Sequence, residues 1–483
     1  MAFKSGLFRD RFFYKIQVLS TYMRTLAKET ISKVGQEIEL LGWVHNRRDH
    51  GKLIFIDFRD RSGLLQIVFT KDLYEQANKL RNEWVVKITG QIKERPANLV
   101  NPKLETGKVE LQAKSLEVLA EAQTPPIGVD TDGMEIGEEV RMKYRYIDLR
   151  RSRLQKNLRM RHKVNQFIRD HLTAKHDFVE IETPIISKST PEGARDYLVP
   201  SRLYPGKFYA LPQSPQQYKQ LLMVAGLERY FQIARCFRDE DTRGDRQPEF
   251  TQLDLEMSFV EREDVLNLIE ELYIKIVETL FPEKNISKIP FPRLSYAEAM
   301  SKYNSDKPDL RKNKNDPNEL AFTWVIDFPF FERIEEGWTF THNPFSAPKK
   351  EHMDWLMKKE KIADILTSQY DLALNGFEVG GGSIRNHRPE ALKAVFEIMG
   401  MGEERIKNNF GHMLEALSLG APPHGGIAMG LDRFMAIMMN EPNIREVIAF
   451  PKTGDGRDLM MEAPSDVDEK QLKELHIKID KPK

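Results

Sequence analysis

FRDEDTRGDRQPEFTQLDLE, residues 237–256, joins a loop rich in charges of both signs to a strand of alternating polarity. Because side chains alternate between the two faces of a strand, one face of residues 250–257 should be apolar. The apolar set is Thr251, Leu253, Leu255 and Met257, and the opposite set is Phe250, Gln252, Asp254 and Glu256. A solvated sheet face would explain the second set. The loop adds arginines suited to a phosphorylated ligand, however, which favours a binding site.

A second candidate site is the predicted β-hairpin of residues 370–385, whose turn is Asn375-Gly376. Asn-Gly between apolar-alternating arms is a strong hairpin signal. A two-residue turn makes Asp371 a diagonal neighbour of Glu378 on the polar face. The opposite, buried face should carry Leu372, Leu374, Phe377 and Val379.

The two carboxylates of this hairpin repel one another unless a cation lies between them. Mg²⁺ binds carboxylate and phosphate oxygens, so an ion bound to nucleotide phosphates is the simplest choice of cation, and Asp371 and Glu378 are candidate metal ligands. Two exposed acids without a metal remain the alternative.

Residues 425–433 form a third candidate site, a glycine-rich strand that leads into an apolar helix. The segment matches neither a P-loop nor a dinucleotide-binding fingerprint. A cation at the start of a helix, here Arg433, suits the end of a triphosphate. Glycines that only allow close packing would explain the strand equally well.

The N-terminal part of the chain is predicted to be a small closed β-barrel of the OB type. A small β-sandwich is the alternative. The five strands are expected at Ile38–Val44, Leu53–Arg59, Leu64–Phe69, Trp84–Gln91 and Val109–Val118. We place this domain at residues 23–124, a linker or hinge at 125–145 and a larger domain at 146–483.

Apolar residues recur at helical spacing from Leu154 to Leu172, which predicts an amphipathic helix. A strand at Phe178–Ile186 should lie at a sheet edge or at an interface because Pro184 removes a hydrogen-bond donor. A second helix is expected at Asp264–Phe281, and the final helix should start near Leu431.

The composition is that of an ordinary soluble protein, with 73 basic and 73 acidic residues and a single cysteine. Bulk charge therefore cannot drive nucleic-acid binding, and a disulfide framework is excluded. No apolar run is long enough for a membrane span, so a cytoplasmic location is expected, without membrane or DNA as a partner. Residues 1–22 are basic and poor in acids, which indicates either a targeting segment or a start codon placed upstream of Met23.

Taken together, the motifs resemble the class II aminoacyl-tRNA synthetases, and within them the bacterial-type aspartyl branch. The general class II motifs are similar to residues 181–184 (IETP), 237–252 and 425–433. The aspartyl-specific motifs are similar to residues 190–196 (TPEGARD) and 213–219 (QSPQQYK). The resemblance implies an α+β fold in which the OB-type barrel is joined to an antiparallel sheet flanked by helices. It also implies a homodimer.

The resemblance further implies site residues. Arg238 and Arg433 would be catalytic, and Asp371 and Glu378 would hold Mg²⁺. L-Aspartate would contact Glu192, Gln216, Lys219, Arg238, Asp254, His342 and Arg385. ATP would contact Arg238, Asp239, Glu240, Gln247, Phe250, Glu378, Gly430, Leu431, Asp432 and Arg433. The implied activity is formation of aspartyl-adenylate followed by transfer to the 3′ end of tRNA.

The barrel would bind the anticodon through Arg48, Phe55 and Gln66. His50 is typical of enzymes that charge both tRNA(Asp) and tRNA(Asn), whereas Asn98 stands where such enzymes often have glycine. We favour the nondiscriminating enzyme; a tRNA(Asp)-only enzyme and a noncatalytic RNA-binding paralogue are the alternatives. The usual insertion domain should be missing near residues 312–323.

Overall fold

A computed structural model describes residues 24–189 and 193–480 of the chain. The predicted extension at residues 1–22 and the predicted aspartate ligand Glu192 lie outside the described residues. The chain divides into two compact units. The N-terminal unit comprises Met1–Glu135 and Tyr146–Ser152, and the C-terminal unit comprises Ile136–Arg145 and Arg153–Lys483. In the described residues, no helix combines the length and the apolar character needed to cross a membrane.

The N-terminal unit is a closed five-stranded barrel, so the barrel prediction is confirmed and the sandwich is excluded. Its elements are β1 (Glu37–His50), β2 (Leu53–Asp60), β3 (Gly63–Phe69), α1 (Tyr74–Asn78), β4 (Val85–Glu94) and β5 (Val109–Ala120). The strands follow the order β1-β2-β3-β5-β4, in which only β3 and β5 are parallel. Ile54, Ile56 and Phe58 point into the barrel and are fully buried, which leaves Phe55 on the outer face.

The remaining helices follow the barrel along the chain. They are α2 (Glu138–Lys143), α3 (Arg145–Asp148), α4 (Ser152–His176), α5 (Gln216–Val224), α6 (Arg262–Leu280), α7 (Tyr296–Tyr303), α8 (Met353–Lys358), α9 (Pro389–Ile398), α10 (Glu403–Ser418), α11 (Leu431–Met438) and α12 (Glu469–Glu474). Short 3₁₀ helices lie at Ala27–Ser32, Lys71–Leu73, Ala97–Leu99, Lys350–His352, Ile362–Asp364 and Ile444–Val447. The prediction that the final helix starts near Leu431 is wrong, because α12 follows it.

The strands of the C-terminal unit form one large sheet and three two-stranded ones. They are β6 (Val179–Glu180), β7 (Leu198–Pro200), β8 (Phe208–Ala210), β9 (Arg229–Phe237), β10 (Glu249–Ser258), β11 (Asn285–Ile286), β12 (Arg293–Ser295), β13 (Glu319–Leu320), β14 (Phe322–Ile326), β15 (Phe331–Ile334), β16 (Gly337–Phe340), β17 (Gln369–Leu374), β18 (Phe377–Ile384) and β19 (His424–Gly430). The large sheet has the order β12-β14-β17-β18-β19-β10-β9-β6.

Six consecutive strands of the large sheet, from β14 to β9, are antiparallel, as predicted. The outer pairs β12–β14 and β9–β6 are parallel, so the whole sheet is mixed. The strand preceding Pro184 lies at the edge, as expected. It extends over only Val179–Glu180, so the prediction of a longer strand is wrong.

Helices α4 and α6 pack with the apolar face of the sheet in one continuous core. The predicted alternation of β10 is confirmed there, since Leu253, Leu255 and Met257 are core residues. The charged face of β10 is therefore turned to the other side of the sheet, where the candidate site lies.

Candidate active site in the C-terminal unit

Two adjoining cavities open on the polar face of the large sheet. We call them cavity A, of about 340 Å³, and cavity B, of about 260 Å³. Both are lined by Arg238, Glu240, Gln252, Glu378 and Ala428. The charged loop after β9, the strand β10 and the β17–β18 hairpin therefore contribute to one continuous site.

Four charged side chains make a network of ion pairs beside cavity A, in which only Asp254 Oδ1 lacks a hydrogen-bond partner among the described residues. Lys219 Nζ lies 2.6 Å from Asp254 Oδ2 and 3.5 Å from Glu256 Oε2. Arg385 binds Glu256 with both ends of its guanidinium fork, through Nε at 2.9 Å and Nη2 at 3.1 Å. The two carboxylates of β10 are fully buried, so this face of the strand is not a solvated sheet face.

Burial and pairing act in opposite directions on the two carboxylates. For Glu256, burial favours the neutral acid, but the charges of Arg385 and Lys219 more than offset it and hold its pKa below the usual range. For Asp254, burial is the larger effect and raises the pKa, although Lys219 opposes it. The network thus keeps Glu256 ionised as the partner of Arg385.

The hairpin has the predicted turn, with Leu374 opposite Phe377 and Ala373 opposite Glu378. Asn375 and Gly376 both have positive φ, 53° and 87°, as this turn type requires. A bulge between Leu372 and Ala373 then shifts the register. The prediction that Phe377 belongs to the buried face is wrong, because its side chain is 45% exposed.

Asp371 is buried, whereas Glu378 is exposed at the cavity mouth. Asp371 Oδ1 accepts a hydrogen bond of 2.7 Å from Gln369, and its Oδ2 lies 3.9 Å from His342 Nδ1. Burial and the negative charge of Glu378 raise the pKa of Asp371 well above its ordinary value. A divalent cation would relieve this repulsion, so the pair fits a metal site.

Two further predicted aspartate ligands line cavity A. Gln216 is buried at the start of α5, and its Nε2 donates to Gln220 at 3.0 Å. His342 packs edge-on against Phe328 at 4.4 Å, and burial lowers its pKa, so the ring is neutral at pH 7.

Two guanidinium groups face cavity B with unmet hydrogen-bonding capacity. Arg238 lies over the Phe250 ring at 5.1 Å, and Arg433 binds the Glu378 carbonyl oxygen and, at 3.2 Å, Asp245 Oδ2. The Nε atoms of both arginines are buried and have no hydrogen-bond partner among the described residues. Phosphate oxygens would satisfy such donors well.

Two other predicted ATP-binding residues, Gln247 and Asp432, form hydrogen bonds with backbone atoms beside the site. Gln247 is buried and pairs with the Lys452 backbone, accepting from N at 2.7 Å and donating to O at 3.1 Å. Asp432 accepts from the Thr251 backbone N at 2.8 Å and from Arg161 at 2.5 Å. Both still line cavity B, as does Gly430.

Two predicted ATP residues line neither cavity. The Leu431 side chain is fully buried in the core, which leaves only its backbone for a ligand. Asp239 lines a neighbouring cavity of about 830 Å³ instead.

Glu256 was placed on the polar face of β10 at the level of sequence, without a role, and Gln369 was missed altogether. Glu256 anchors Arg385. Gln369 supports Asp371 from two positions earlier on the same strand, a spacing that also puts both on one face.

The predicted anticodon residues lie together on the barrel. Arg48 donates to Asp57 at 2.7 Å and to Gln66 at 3.4 Å, and Phe55 lies opposite Arg48 in the β1–β2 register. His50 packs edge-on against Phe55 at 5.5 Å. Asn98 lies in the exposed 3₁₀ helix after β4.

Comparisons with known families agree with this architecture. The family of class II tRNA synthetases (D, K and N) matches residues 137–454, and the OB-fold nucleic acid binding domain matches residues 38–119. The chain therefore belongs to the class II tRNA synthetases and is an enzyme of the ligase class.

Within that family the chain is similar to proteins named aspartate–tRNA(Asp/Asn) ligase. The Rubrobacter xylanophilus protein of that name is 43% identical, over 93% of this chain and 95% of the relative. The Dehalococcoides mccartyi protein is 39% identical, over 96% and 99%. The first alignment runs over 577 positions, more than the 483 residues of this chain, so the relative carries additional residues.

Solved structures share the fold at lower identity. Asparaginyl-tRNA synthetase from Pyrococcus horikoshii, complexed with asparaginyl-adenylate, has a TM-score of 0.72 and 21% identity, over 89% of this chain and 98% of that one. Aspartyl-tRNA synthetase from Entamoeba histolytica has a TM-score of 0.69 and 21% identity, over 89% and 91%.

Proposed function

We propose that this chain activates L-aspartate with ATP and transfers the aspartyl group to the 3′ end of both tRNA(Asp) and tRNA(Asn). The observation that carries the proposal is the pair of adjoining cavities. One contains buried, donor-only cations beside carboxylates, and the other contains two arginines with unpaired Nε donors. The names of the relatives support the amino acid and both tRNAs.

In the first step a carboxylate oxygen of aspartate attacks the α-phosphorus of ATP. A P–O bond forms to the aspartate, the α–β P–O bond breaks, and its electron pair leaves with pyrophosphate. Arg238, which lines both cavities, would neutralise charge on the α-phosphate and the attacking carboxylate. Arg433 would neutralise charge on the leaving pyrophosphate, and Phe250 would stack on adenine. Positioning and charge stabilisation account for the rate, since no protein nucleophile is needed.

In the second step the terminal ribose hydroxyl of tRNA attacks the carbonyl carbon of aspartyl-adenylate. An ester bond forms to the ribose, the hydroxyl proton passes to a phosphate oxygen of the departing AMP, and AMP leaves with the electron pair of the cleaved C–O bond. The Lys219–Asp254 and Arg385–Glu256 pairs would hold the aspartyl group in place during the transfer.

Asp371 and Glu378 would hold Mg²⁺. When bound, the ion supplies positive charge against the ATP phosphates. His342 and Gln369 would support Asp371 from the protein side.

Arg238→Ala should abolish aspartate-dependent exchange of pyrophosphate into ATP, because no other described cation lines both cavities. Arg235→Ala is the matched control, since Arg235 is exposed nearby on β9 and lines neither cavity. Running the exchange with aspartate, asparagine and lysine also tests the amino acid. Exchange that is absent from the wild type would favour a noncatalytic RNA-binding paralogue, and near-normal exchange in Arg238→Ala would refute the site.

The range of tRNAs needs its own assay because His50 and Asn98 point in different directions. Aspartylation of purified tRNA(Asp) and tRNA(Asn) by the wild type should proceed with both. His50→Leu should selectively reduce the reaction with tRNA(Asn), since His50 packs against the proposed base-stacking residue Phe55. No charging of tRNA(Asn) by the wild type would identify a tRNA(Asp)-only enzyme.

The same proposal includes a homodimer and a cytoplasmic location, where the tRNAs are charged. Val179, Ile185 and Ile186 follow α4 and are 42%, 43% and 53% exposed, which would suit burial by a second copy. Light scattering on the full chain should give twice the mass of one chain, and a monomer would contradict this part.

A further inference from the structure

Two histidines and one glutamate form a compact cluster that lines neither cavity A nor cavity B. His171 and His176 lie at the C-terminal end of α4, and Glu271 lies on α6. The three residues therefore connect two helices that belong to the same core. None of the proposed catalytic steps uses them.

The nitrogen atoms of both rings face the same carboxylate without bonding to it. His171 Nε2 lies 3.5 Å from Glu271 Oε1, and His176 Nε2 lies 3.6 Å from Glu271 Oε2. Both separations exceed the ordinary range for N–H···O hydrogen bonds. Both Nε2 atoms are nevertheless buried and have no hydrogen-bond partner among the described residues. His171 itself is only 5% exposed.

The two nitrogen–oxygen separations, each to a different oxygen of Glu271, are close to those between neighbouring ligand atoms on one ion. Tetrahedral Zn²⁺ has bonds of about 2.0–2.1 Å to histidine nitrogen and carboxylate oxygen, which puts neighbouring ligand atoms about 3.3–3.5 Å apart. All three potential ligand atoms lie within 4.8 Å of one another. Small rotations of the exposed Glu271 side chain would complete the set, because it is 44% exposed.

We propose that His171, His176 and Glu271 bind one divalent transition-metal ion of the zinc class, with water as the fourth ligand. Two imidazole nitrogens favour Zn²⁺, Co²⁺ or Ni²⁺ over Mg²⁺ and Ca²⁺, which take oxygen ligands. Lys175 Nζ lies 4.0 Å from Glu271. Its side chain is 57% exposed and is free to move into solvent when the ion binds.

A bound ion would fix the end of α4 against α6. The chain continues directly from α4 into β6 and the exposed apolar residues Ile185 and Ile186. The site would therefore stabilise the position of the chain that follows α4 and would not belong to the catalytic centre.

The test uses the full chain after treatment with EDTA, titrated with Co²⁺ and with Zn²⁺. Co²⁺ should give the visible absorption of tetrahedral coordination at one equivalent, and Zn²⁺ should displace it, whereas Mg²⁺ should not. Glu271→Gln and His176→Gln should each weaken Zn²⁺ binding by about 10–100-fold or more, by analogy with losses of supporting groups at metal sites. His162→Gln is the matched control, because His162 is an exposed histidine of the same helix outside the cluster.

Far-ultraviolet circular dichroism and aspartate-dependent exchange should be unchanged in all three variants, which separates loss of the metal from loss of the fold. Zn²⁺ should also raise the melting temperature of the wild type and His162→Gln but not of Glu271→Gln. A crystal soaked with Zn²⁺ should show an anomalous peak between the three side chains. An ordered water there without a peak, or equal Zn²⁺ binding by wild type and Glu271→Gln, would overturn the proposal.

Discussion

Glu256→Gln tests the interpretation that the paired network beside cavity A depends on a charged anchor. The glutamine has nearly the same shape, but it replaces one carboxylate oxygen by an amino group. Glu256 now accepts two bonds from Arg385 and lies 3.5 Å from Lys219. Both neighbours are donor-only groups, so the new amino group would face a donor whichever way the amide turns.

The size of the effect follows from burial. Glu256 is fully buried and Arg385 is 2% exposed, so the variant leaves a buried cation without its counter-ion. Breaking such a pair costs about 3–5 kcal/mol. A unit of about 340 residues has an unfolding entropy of about 0.7 kcal/mol per kelvin. The melting temperature of the C-terminal unit should therefore fall by about 4–7 °C.

The assay is calorimetry of the full chain at neutral pH, with Glu249→Gln as the matched control. Glu249 lies on the same strand but is half-buried, and it pairs with Arg235 and Lys452 near the surface. Loss of that pairing should cost about 1 kcal/mol or less, or about 1 °C. If the two variants melt at the same temperature, the network is not the anchor described here.

Three further predictions concern the N-terminal barrel. Glu83 is 3% exposed and binds Arg59 and Arg150; burial favours its neutral form, but these arginines more than offset it and lower its pKa. Glu83→Gln should therefore lower the free energy of unfolding by about 2–3 kcal/mol at pH 7, less than for a fully buried pair because the Arg59 and Arg150 side chains are 12% and 31% exposed. Because the pKa of Glu83 is lower in the folded protein, ionised Glu83 stabilises the wild type fully at pH values above its unfolded pKa of about 4.3, and this contribution is lost as the pH falls through the folded pKa. The difference in free energy of unfolding between wild type and variant should therefore be smaller at pH 3.5 than at pH 7, and an equal difference at the two pH values would contradict this. Phe55→Ala should weaken tRNA binding by about 1–3 kcal/mol in filter binding without lowering the melting temperature, since Phe55 lies on the outer face. Phe58→Ala, three residues further along β2 and fully buried, should instead cost about 3–5 kcal/mol of stability. Equal melting temperatures for the two variants would refute the inward–outward assignment.

The fold was predictable wherever a periodic pattern coincided with a turn signal. Four of the five barrel strands and helices α4 and α6 were expected within four residues of their observed ends, because glycines and prolines separate strongly periodic segments. The first strand is the exception, since β1 continues six residues beyond its predicted end, to His50. The strand β6 was predicted to be too long, since the apolar residues Ile185 and Ile186 continue the pattern of a strand beyond Pro184. Whether they are covered depends on tertiary or quaternary contacts that local periodicity does not contain.

The bulge between Leu372 and Ala373 is one feature of the site that the sequence did not predict. The Asn375-Gly376 turn fixed the first two pairs of the hairpin, but the bulge beside Leu372 changes the register beyond them. The outcome is one buried and one exposed carboxylate, Asp371 and Glu378, rather than an evenly placed pair. No residue type near the bulge predicts it from the sequence, and β17 is paired on both sides, with β14 and with β18.

Pairing inside the site changes the physical basis of the proposed preference for aspartate. The resemblance places Lys219 and Arg385 among the aspartate contacts, where two cations can neutralise a side-chain carboxylate, but each already binds a carboxylate of β10. The four charges balance, so net attraction by this network cannot select an anion. Lys219 and Arg385 can only donate hydrogen bonds, however, whereas an asparagine amide must place a donor among them. Under the proposed function, asparagine is therefore rejected because its amide would leave an unpaired hydrogen-bond donor in a buried site. This free-energy penalty persists at high salt, whereas screening would weaken selection by charge alone.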